Sequence, residues 1–115
     1  MKKFLWKNMY LIILVVGLVM IFVNRPCFVS GYSMYPTLDN NQFVVCNTLE
    51  NYKIGDIVVV DSSSFLSENY IVKRIIDIDE EGNLFLQGDN TPVSYDSRYF
   101  GYISPDLVLG VVHTL

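Results

Sequence analysis

The chain has 115 residues, enough for one domain, and a net charge of −4. Its charge is unevenly spread: residues 26–115 carry four basic residues against all twelve acidic ones, a net charge of −8. An acidic domain argues against a nucleic-acid partner, which needs a basic surface, and two cysteines with one histidine are too few for a zinc site.

Residues 9–23 form an unbroken apolar run that indicates a membrane anchor. As a helix this run spans about 22 Å, against about 30 Å of hydrocarbon core, so residues 4–6 must enter and Lys7 must reach the headgroups. Lysines precede the run and Arg25 follows it, which predicts a cytoplasmic N-terminus. We therefore predict a cytoplasmic segment 1–8, a single transmembrane anchor 9–24 and an extracytoplasmic domain 25–115, located at the cytoplasmic membrane.

A cleavable signal peptide has the same charged start and apolar middle as this run. Cleavage requires small residues after the apolar segment. Residues 24–29 read NRPCFV and contain no such pattern. The sequence therefore favours a retained anchor over a removed leader.

Ser33 follows the predicted anchor closely and stands between Gly31 and Pro36. Glycine permits unusual backbone angles and close approach of a substrate, while proline fixes its own φ and extends the residue before it. This combination suits a hydroxyl group held in one position on a loop. An ordinary turn fits the same residues, because serine is common in turns.

The rest of the chain is dominated by short β-type runs separated by turn residues. Residues 57–60 are all β-branched, which favours a buried strand. A Glu-Glu-Gly-Asn turn separates residues 70–78 from residues 84–87 and predicts a hairpin. The predicted strands are 42–46, 57–60, 70–78, 84–87 and 108–112. Since no sustained helical period follows Val23, we predict a mostly β fold: one N-terminal transmembrane helix, then a small antiparallel sheet or partial barrel.

Lys73 lies on the same predicted strand face as Ile71 and Ile75. An exposed lysine on an edge strand, which protects against aggregation, explains this pattern without any function. A buried lysine would instead lose the hydration of its charged form, and the neutral amine could accept the proton of a serine hydroxyl. Lys53 lies in a turn, so Lys73 is the candidate base for Ser33.

Cys27, Cys46 and His113 remain without an assigned role at this stage. The two cysteines could form a disulfide in an oxidising compartment, but the sequence cannot place the sulfur atoms within bonding reach. We interpret both as free thiols. His113 lies in the C-terminal tail, where solvent exposure is expected.

Four short motifs occur in an order that resembles type I signal peptidase, a membrane-bound Ser-Lys endopeptidase. They are Ser33–Leu38 (SMYPTL), Gly55–Val60 (GDIVVV), Val72–Ile76 (VKRII) and Gly88–Asn90 followed by Ser94–Gly101 (GDN and SYDSRYFG). They look like the family's S-M-x-P-T-L, G-D-[IV]-V, K-R-[VI]-[IV] and G-D-N…S-x-D-S-R-x-[WF]-G boxes. The resemblance covers nearly the whole chain.

The resemblance implies roles for individual residues. Ser33 would be the nucleophile, with its N–H donating to the oxyanion, and Lys73 would be the general base. Ser94 would orient the lysine amine, and Asp96, Arg98, Arg74 and Asp89 would support the site. Val29, Met34, Leu38 and Val72 would line a small pocket for alanine-sized substrate residues. The family's chemistry needs no metal and no cofactor.

The chain departs from the family pattern in two informative places. Some members carry a second serine two positions before the nucleophile, whose hydroxyl completes the oxyanion hole, and here that position is Gly31, as in Gram-positive-type members. The second donor therefore stays open. Many members also insert further strands after the lysine box, whereas here residues 76–78 run into a short hairpin, so the second subdomain should be largely absent.

From this resemblance we expect a serine endopeptidase that removes signal peptides from exported pre-proteins. Its expected partners are signal peptides, membrane lipid and the secretion machinery, without nucleic acid. A self-cleaving regulatory Ser-Lys peptidase is an alternative, but such proteins carry a DNA-binding region that this chain lacks. A membrane-tethered β-domain that binds peptides without catalysis is the alternative from another class.

Overall fold

The structure is a computed structural model that describes residues 2–114, with side chains described for residue 6 and residues 8–114. Met1, the first residue of the predicted segment 1–8, and Leu115, the last residue of the predicted segment 25–115, lie outside the described residues. The side chain of Lys7 also lies outside them. Helix α1 spans Lys2–Val23, and β1 spans Asn24–Phe28 directly after it. The other elements are β2 Phe43–Asn47, β3 Ile57–Asp61, β4 Tyr70–Ile78, β5 Leu84–Gln87, α2 Ser97–Phe100 and β6 Val108–Thr114.

The six strands form one antiparallel sheet in the order β1-β2-β6-β3-β4-β5. The predicted mostly β antiparallel fold is therefore confirmed, and β4 and β5 form the predicted hairpin. The five predicted strands agree with β2 to β6 within one or two residues at each end. The sequence interpretation missed β1 and the single helical turn of α2.

The predicted transmembrane anchor was wrong. Within residues 2–114, no helix combines the length and the apolar character needed to cross a membrane. Helix α1 reaches its 22 residues only by including three lysines at its start. The apolar residues alone span about 22 Å, which is shorter than a hydrocarbon core of about 30 Å.

The sheet carries two clusters of buried apolar side chains. The larger cluster contains Ile71 and Ile75 of β4 and extends to β3, β5 and β6. The smaller cluster packs the loop between β1 and β2 against the sheet; its buried members are Val29, Met34, Leu38, Val44 and Val112. Burial of apolar side chains stabilises a domain by about 25 cal/mol per Å², so these two clusters hold the loop and β4 in fixed positions.

Candidate active site

Ser33 lies on the loop that joins β1 to β2, and this loop is fixed at several points. The Val29 N–H donates to the Gln42 carbonyl at 2.9 Å, and the Asn41 N–H donates to the Val29 carbonyl at 2.7 Å. Gly31 adopts a φ of 90°, which side-chain-bearing residues rarely adopt, and its N–H donates to Asn40 Oδ1 at 2.8 Å. The serine hydroxyl is therefore carried by an ordered turn, as its flanking residues predicted.

A second loop holds the backbone of this turn from the other side. The Asn90 N–H donates to the Ser33 carbonyl at 2.8 Å, and Asn90 Nδ2 donates to the Tyr32 carbonyl at 3.0 Å. Asn90 belongs to the segment that follows β5. The serine turn and the end of the β4–β5 hairpin are therefore one connected unit.

Lys73 is buried in the middle of the sheet, with 5% of its surface exposed. Its strand, β4, pairs with β3 on one side and β5 on the other, so the edge-strand explanation does not apply. Its neighbours on the same face, Ile71 and Ile75, are also buried. The Nζ atom donates a hydrogen bond to Ser94 Oγ at 3.1 Å.

A chain of hydrogen bonds continues from Ser94 into the protein. Ser94 Oγ donates to Asp96 Oδ2 at 2.7 Å, and the Asp96 carboxylate is fully buried. The same carboxylate accepts from the Gly88 N–H at 3.0 Å and from Arg98 Nε at 2.9 Å. Ser94 is thus oriented by Asp96 and presents its oxygen to the Lys73 amine.

The pKa of Lys73 is lowered from its ordinary value of 10.5. Burial is the largest cause, because it removes water from the charged form, and the nearby Arg98 acts in the same direction. The carboxylates of Asp96 and Glu68 oppose the shift but do not cancel it. The lowered pKa gives Lys73 a larger share of the neutral amine than a solvated lysine has, and the neutral amine is the form that can accept a proton.

Ser33 and Lys73 both line one open cavity of about 420 Å³. Ser33 is half-buried in its wall, and the other lining residues include Ser30, Ile71 and Glu68. A cavity of this size admits several residues of an extended peptide. A serine and a lysine with a lowered pKa on one cleft have the chemistry of a nucleophile and a base, and their roles stay a prediction.

Arg74 and Asp89 brace the serine turn from β4. Arg74 Nε and Nη2 donate to the two oxygens of Asp89 at 2.8 and 2.7 Å, and Arg74 Nη1 donates to the Gly55 carbonyl at 2.7 Å. Thr37 Oγ1, on the serine loop, donates to Asp89 Oδ2 at 2.6 Å. The ion pair therefore ties the strand that carries Lys73 to the loop that carries Ser33.

The four residues predicted to line the substrate pocket lie together but not on the cavity of Ser33. Val29, Met34 and Leu38 are buried members of the smaller core cluster, and Val72 packs against it half-buried. Val72 also faces a second cavity of about 590 Å³ between β1 and β4, beside Cys27 and Val59. Their role as a substrate pocket stays a prediction.

Cys27 and Cys46 are free thiols on adjacent strands, as the sequence interpretation expected. Burial raises the pKa of both, that of Cys46 to about 11, so neither is a reactive thiolate near neutral pH. His113 is exposed on β6 and contacts the carboxylate of Glu50. Within residues 2–114, no three His, Cys, Asp or Glu side chains are grouped as metal ligands.

Gly88 is a site residue whose purpose the sequence alone did not reveal. A Cβ atom at this position would lie 2.1 Å from Ser94 Oγ and 2.6 Å from the Ser33 carbonyl oxygen. The sequence marked Gly88 only as part of a loop signal. The absence of a side chain at Gly88 lets three segments of the site, which carry Ser33, Ser94 and Gly88 itself, approach closely.

We expect Gly88→Ala to destabilise the protein by about 1–3 kcal/mol and to reduce activity, because the added methyl group displaces both Ser94 and the Ser33 backbone. Urea unfolding and the rate of peptide cleavage measure the two effects. Gly17→Ala is the matched control, since a Cβ there meets nothing within 4 Å. Wild-type stability and rate for Gly88→Ala would contradict the close packing described above.

The chain is similar to known proteins along most of its length. The family model described as "Signal peptidase, peptidase S26" matches residues 2–79 and 80–115. Mitochondrial inner membrane protease subunit 1 of Mus musculus is 31% identical over 112 residues, covering 77% of this chain and 67% of the mouse protein. The Homo sapiens protein of the same name is 30% identical over the same shares.

A bacterial relative matches a shorter stretch. Signal peptidase I T of Bacillus subtilis strain 168 is 35% identical over 74 residues, covering 61% of this chain and 37% of that protein. Together with the family match along nearly the whole chain, these relatives confirm the family that the four motifs indicated. The chain belongs to the signal peptidase family, peptidase S26.

Proposed function

We propose that this chain is a serine endopeptidase that removes signal peptides from exported pre-proteins with Ser33 as nucleophile and Lys73 as general base. The observation that carries the proposal is the shared cavity, on whose walls lie the Ser33 side chain and a buried lysine held by Ser94. The names of its relatives, a signal peptidase and a membrane protease, support this substrate class. The substrates would be met where exported chains emerge from the cytoplasmic membrane.

The first half of the reaction forms an acyl-enzyme. The neutral Lys73 amine takes the proton of the Ser33 hydroxyl as Oγ attacks the scissile carbonyl carbon. The Ser33 N–H donates to the oxyanion that develops on the carbonyl oxygen. The protonated amine then gives its proton to the departing peptide nitrogen as the C–N bond breaks.

The second half returns the enzyme to its starting state. The Lys73 amine takes a proton from a water molecule as the water oxygen attacks the acyl carbon. The protonated amine then gives this proton to Ser33 Oγ as the acyl C–O bond breaks, which releases the carboxylic acid product and leaves Ser33 as a hydroxyl and Lys73 as a neutral amine. The Ser94–Asp96–Arg98 chain acts as a positioning unit: it keeps an acceptor beside Nζ in every step and so fixes the direction of the amine.

Mass spectrometry of a test pre-protein after incubation with the purified full chain tests this function. We expect one cut at the end of the signal peptide, and a serine-directed acylating probe should label Ser33. Ser33→Ala should abolish both results, whereas Ser64→Ala, a change of an exposed serine outside the cavity, should leave both unchanged. A folded wild-type chain that neither cuts nor is labelled would instead be a peptide-binding β-domain without catalysis.

A further inference from the structure

Glu68 lines the same cavity as Ser33 and Lys73. It belongs to the loop that joins β3 to β4, and its side chain is exposed to solvent. None of the four motifs includes this residue. The proposed chemistry does not require it either.

The loop that carries Glu68 is tightly held rather than free to move. The buried Ser62 hydroxyl donates to the Glu68 carbonyl at 2.6 Å, and the Ser62 N–H donates to the Asn69 carbonyl at 2.9 Å. The Phe65 ring packs on that of Phe100, with centroids 5.0 Å apart. The backbone of Glu68 therefore has a fixed position at the cavity rim.

The Glu68 carboxylate also lacks a cationic partner in the described part of the chain. No lysine, arginine or histidine nitrogen described in the structure lies within 4 Å of it. The other basic side chains of residues 26–114 are engaged elsewhere: Lys53 with Asp56, Arg74 with Asp89 and Arg98 with Asp96, while the buried Lys73 donates to Ser94. Among the described residues, no ion pair therefore occupies the Glu68 carboxylate.

The cavity wall around Glu68 includes apolar side chains beside polar ones such as Ser67. Leu66 and Ile71 line the same cavity, one on each side of Glu68 in the chain. Two aliphatic residues and a glutamate on one cavity suit a side chain with an aliphatic stem and a positively charged end, as in lysine and arginine. The net charge of −8 on residues 26–115 adds a general attraction for basic peptides.

We propose that Glu68 is a specificity-determining residue that selects substrates with a lysine or arginine close to the scissile bond. This inference rests on the proposed peptidase function and names the class of peptide that it prefers. The substrate's stem would lie along Leu66 and Ile71, and its charged end would pair with the Glu68 carboxylate. The preference is electrostatic, so it should weaken with added salt.

Glu68 could instead act only on the Lys73 amine, whose pKa its negative charge raises. In that case Glu68→Gln would change the pH dependence of cleavage equally for all substrates. A role in specificity makes the effect depend on the substrate. The two roles are therefore separable by comparing peptides at one pH.

The test uses a series of peptides that span a signal-peptide cleavage site. Each position near the scissile bond is replaced in turn by lysine and by methionine, which keeps a similar stem without the charge. For the wild-type chain we expect one position at which lysine raises kcat/KM about two- to five-fold over methionine, the range typical of exposed ion pairs. In Glu68→Gln this ratio should fall to about one, and 0.5 M salt should reduce it in the wild type.

Glu80→Gln is the matched control, because it removes one exposed carboxylate from the β4–β5 turn, away from the cavity. It should keep the wild-type ratio of lysine to methionine cleavage. Equal ratios in the wild type and Glu68→Gln at every position would overturn the role of Glu68 while leaving the peptidase function intact. A wild-type chain that cuts none of the peptides would overturn the peptidase function, and the preference with it.

Discussion

Lys73→Met is expected to lower kcat for pre-protein cleavage by at least about 10³-fold, because it removes the only amine on the wall of the described cavity at Ser33. Methionine has a similar length and no charge, so it can occupy the buried position without an unpaired polar group. The folded state should therefore survive. Single-turnover cleavage measures the loss, and urea unfolding measures the stability.

Three further variants make this result specific to the serine and lysine pair. Ser33→Ala should cost about as much as Lys73→Met, and the double variant should be no slower than either, since the two residues act in one step. Lys53→Met removes a lysine that is exposed and pairs with Asp56, so it should retain the wild-type rate. More than about a tenth of wild-type kcat in Lys73→Met would contradict the assignment.

The direction in which kcat/KM of the wild-type chain changes with pH is predictable. The base must be neutral, so kcat/KM should rise with pH through the pKa of Lys73, which lies below the ordinary value of 10.5. Burial is the main cause of that lowering, so the rise should occur at lower pH than for an exposed lysine. A rise centred at the ordinary lysine value would mean that the base is solvated.

Some features of the fold were predictable because they depend on local patterns. The alternation of Ile71, Lys73 and Ile75 predicted that the three side chains share one face of β4, and the structure shows that all three are buried. The β-branched run of β3 likewise predicted a strand with buried residues. The two-residue alternation of side chains and the residue composition are sufficient for such predictions, because they indicate which face of a strand is apolar.

Strand β1 was missed for an equally physical reason. Pro26 lies within it, and a proline inside a short run argues against a central strand. Proline cannot donate a hydrogen bond within a sheet, but β1 is an edge strand, where one side of the backbone has no strand partner. Whether a strand lies at the edge is decided by the order of the whole sheet, which no local pattern contains.

Local sequence patterns could not predict the parts of the site that are formed by loops. Gly88 allows Ser33 and Ser94 to approach, and Glu68 reaches the cavity from a different loop. Met34 and Leu38 are apolar and next to the serine, which fits a pocket lining as well as it fits the core position they occupy. Sequence identifies the chemistry that side chains can perform, whereas long-range contacts decide which of them meet.

Asp96→Ala is expected to lower the free energy of unfolding by about 3 kcal/mol, the largest stability effect among these variants. The Asp96 carboxylate is fully buried and accepts hydrogen bonds from Ser94, the Gly88 N–H and Arg98. Its removal leaves the first two donors buried without their acceptor. Urea unfolding at neutral pH measures the loss, and Glu80→Ala, at an exposed acidic residue, should be near neutral.

The acid dependence of stability provides an independent check of the same carboxylate. Burial alone would raise the pKa of Asp96, but the hydrogen bonds from Arg98, Gly88 and Ser94 outweigh it and lower the pKa to about 2. Stability from Asp96 is therefore complete above the ordinary value near 3.8 and is lost as the pH falls through about 2. The difference between wild type and Asp96→Ala should shrink over this window, and a constant difference would mean that the carboxylate is not held by these donors.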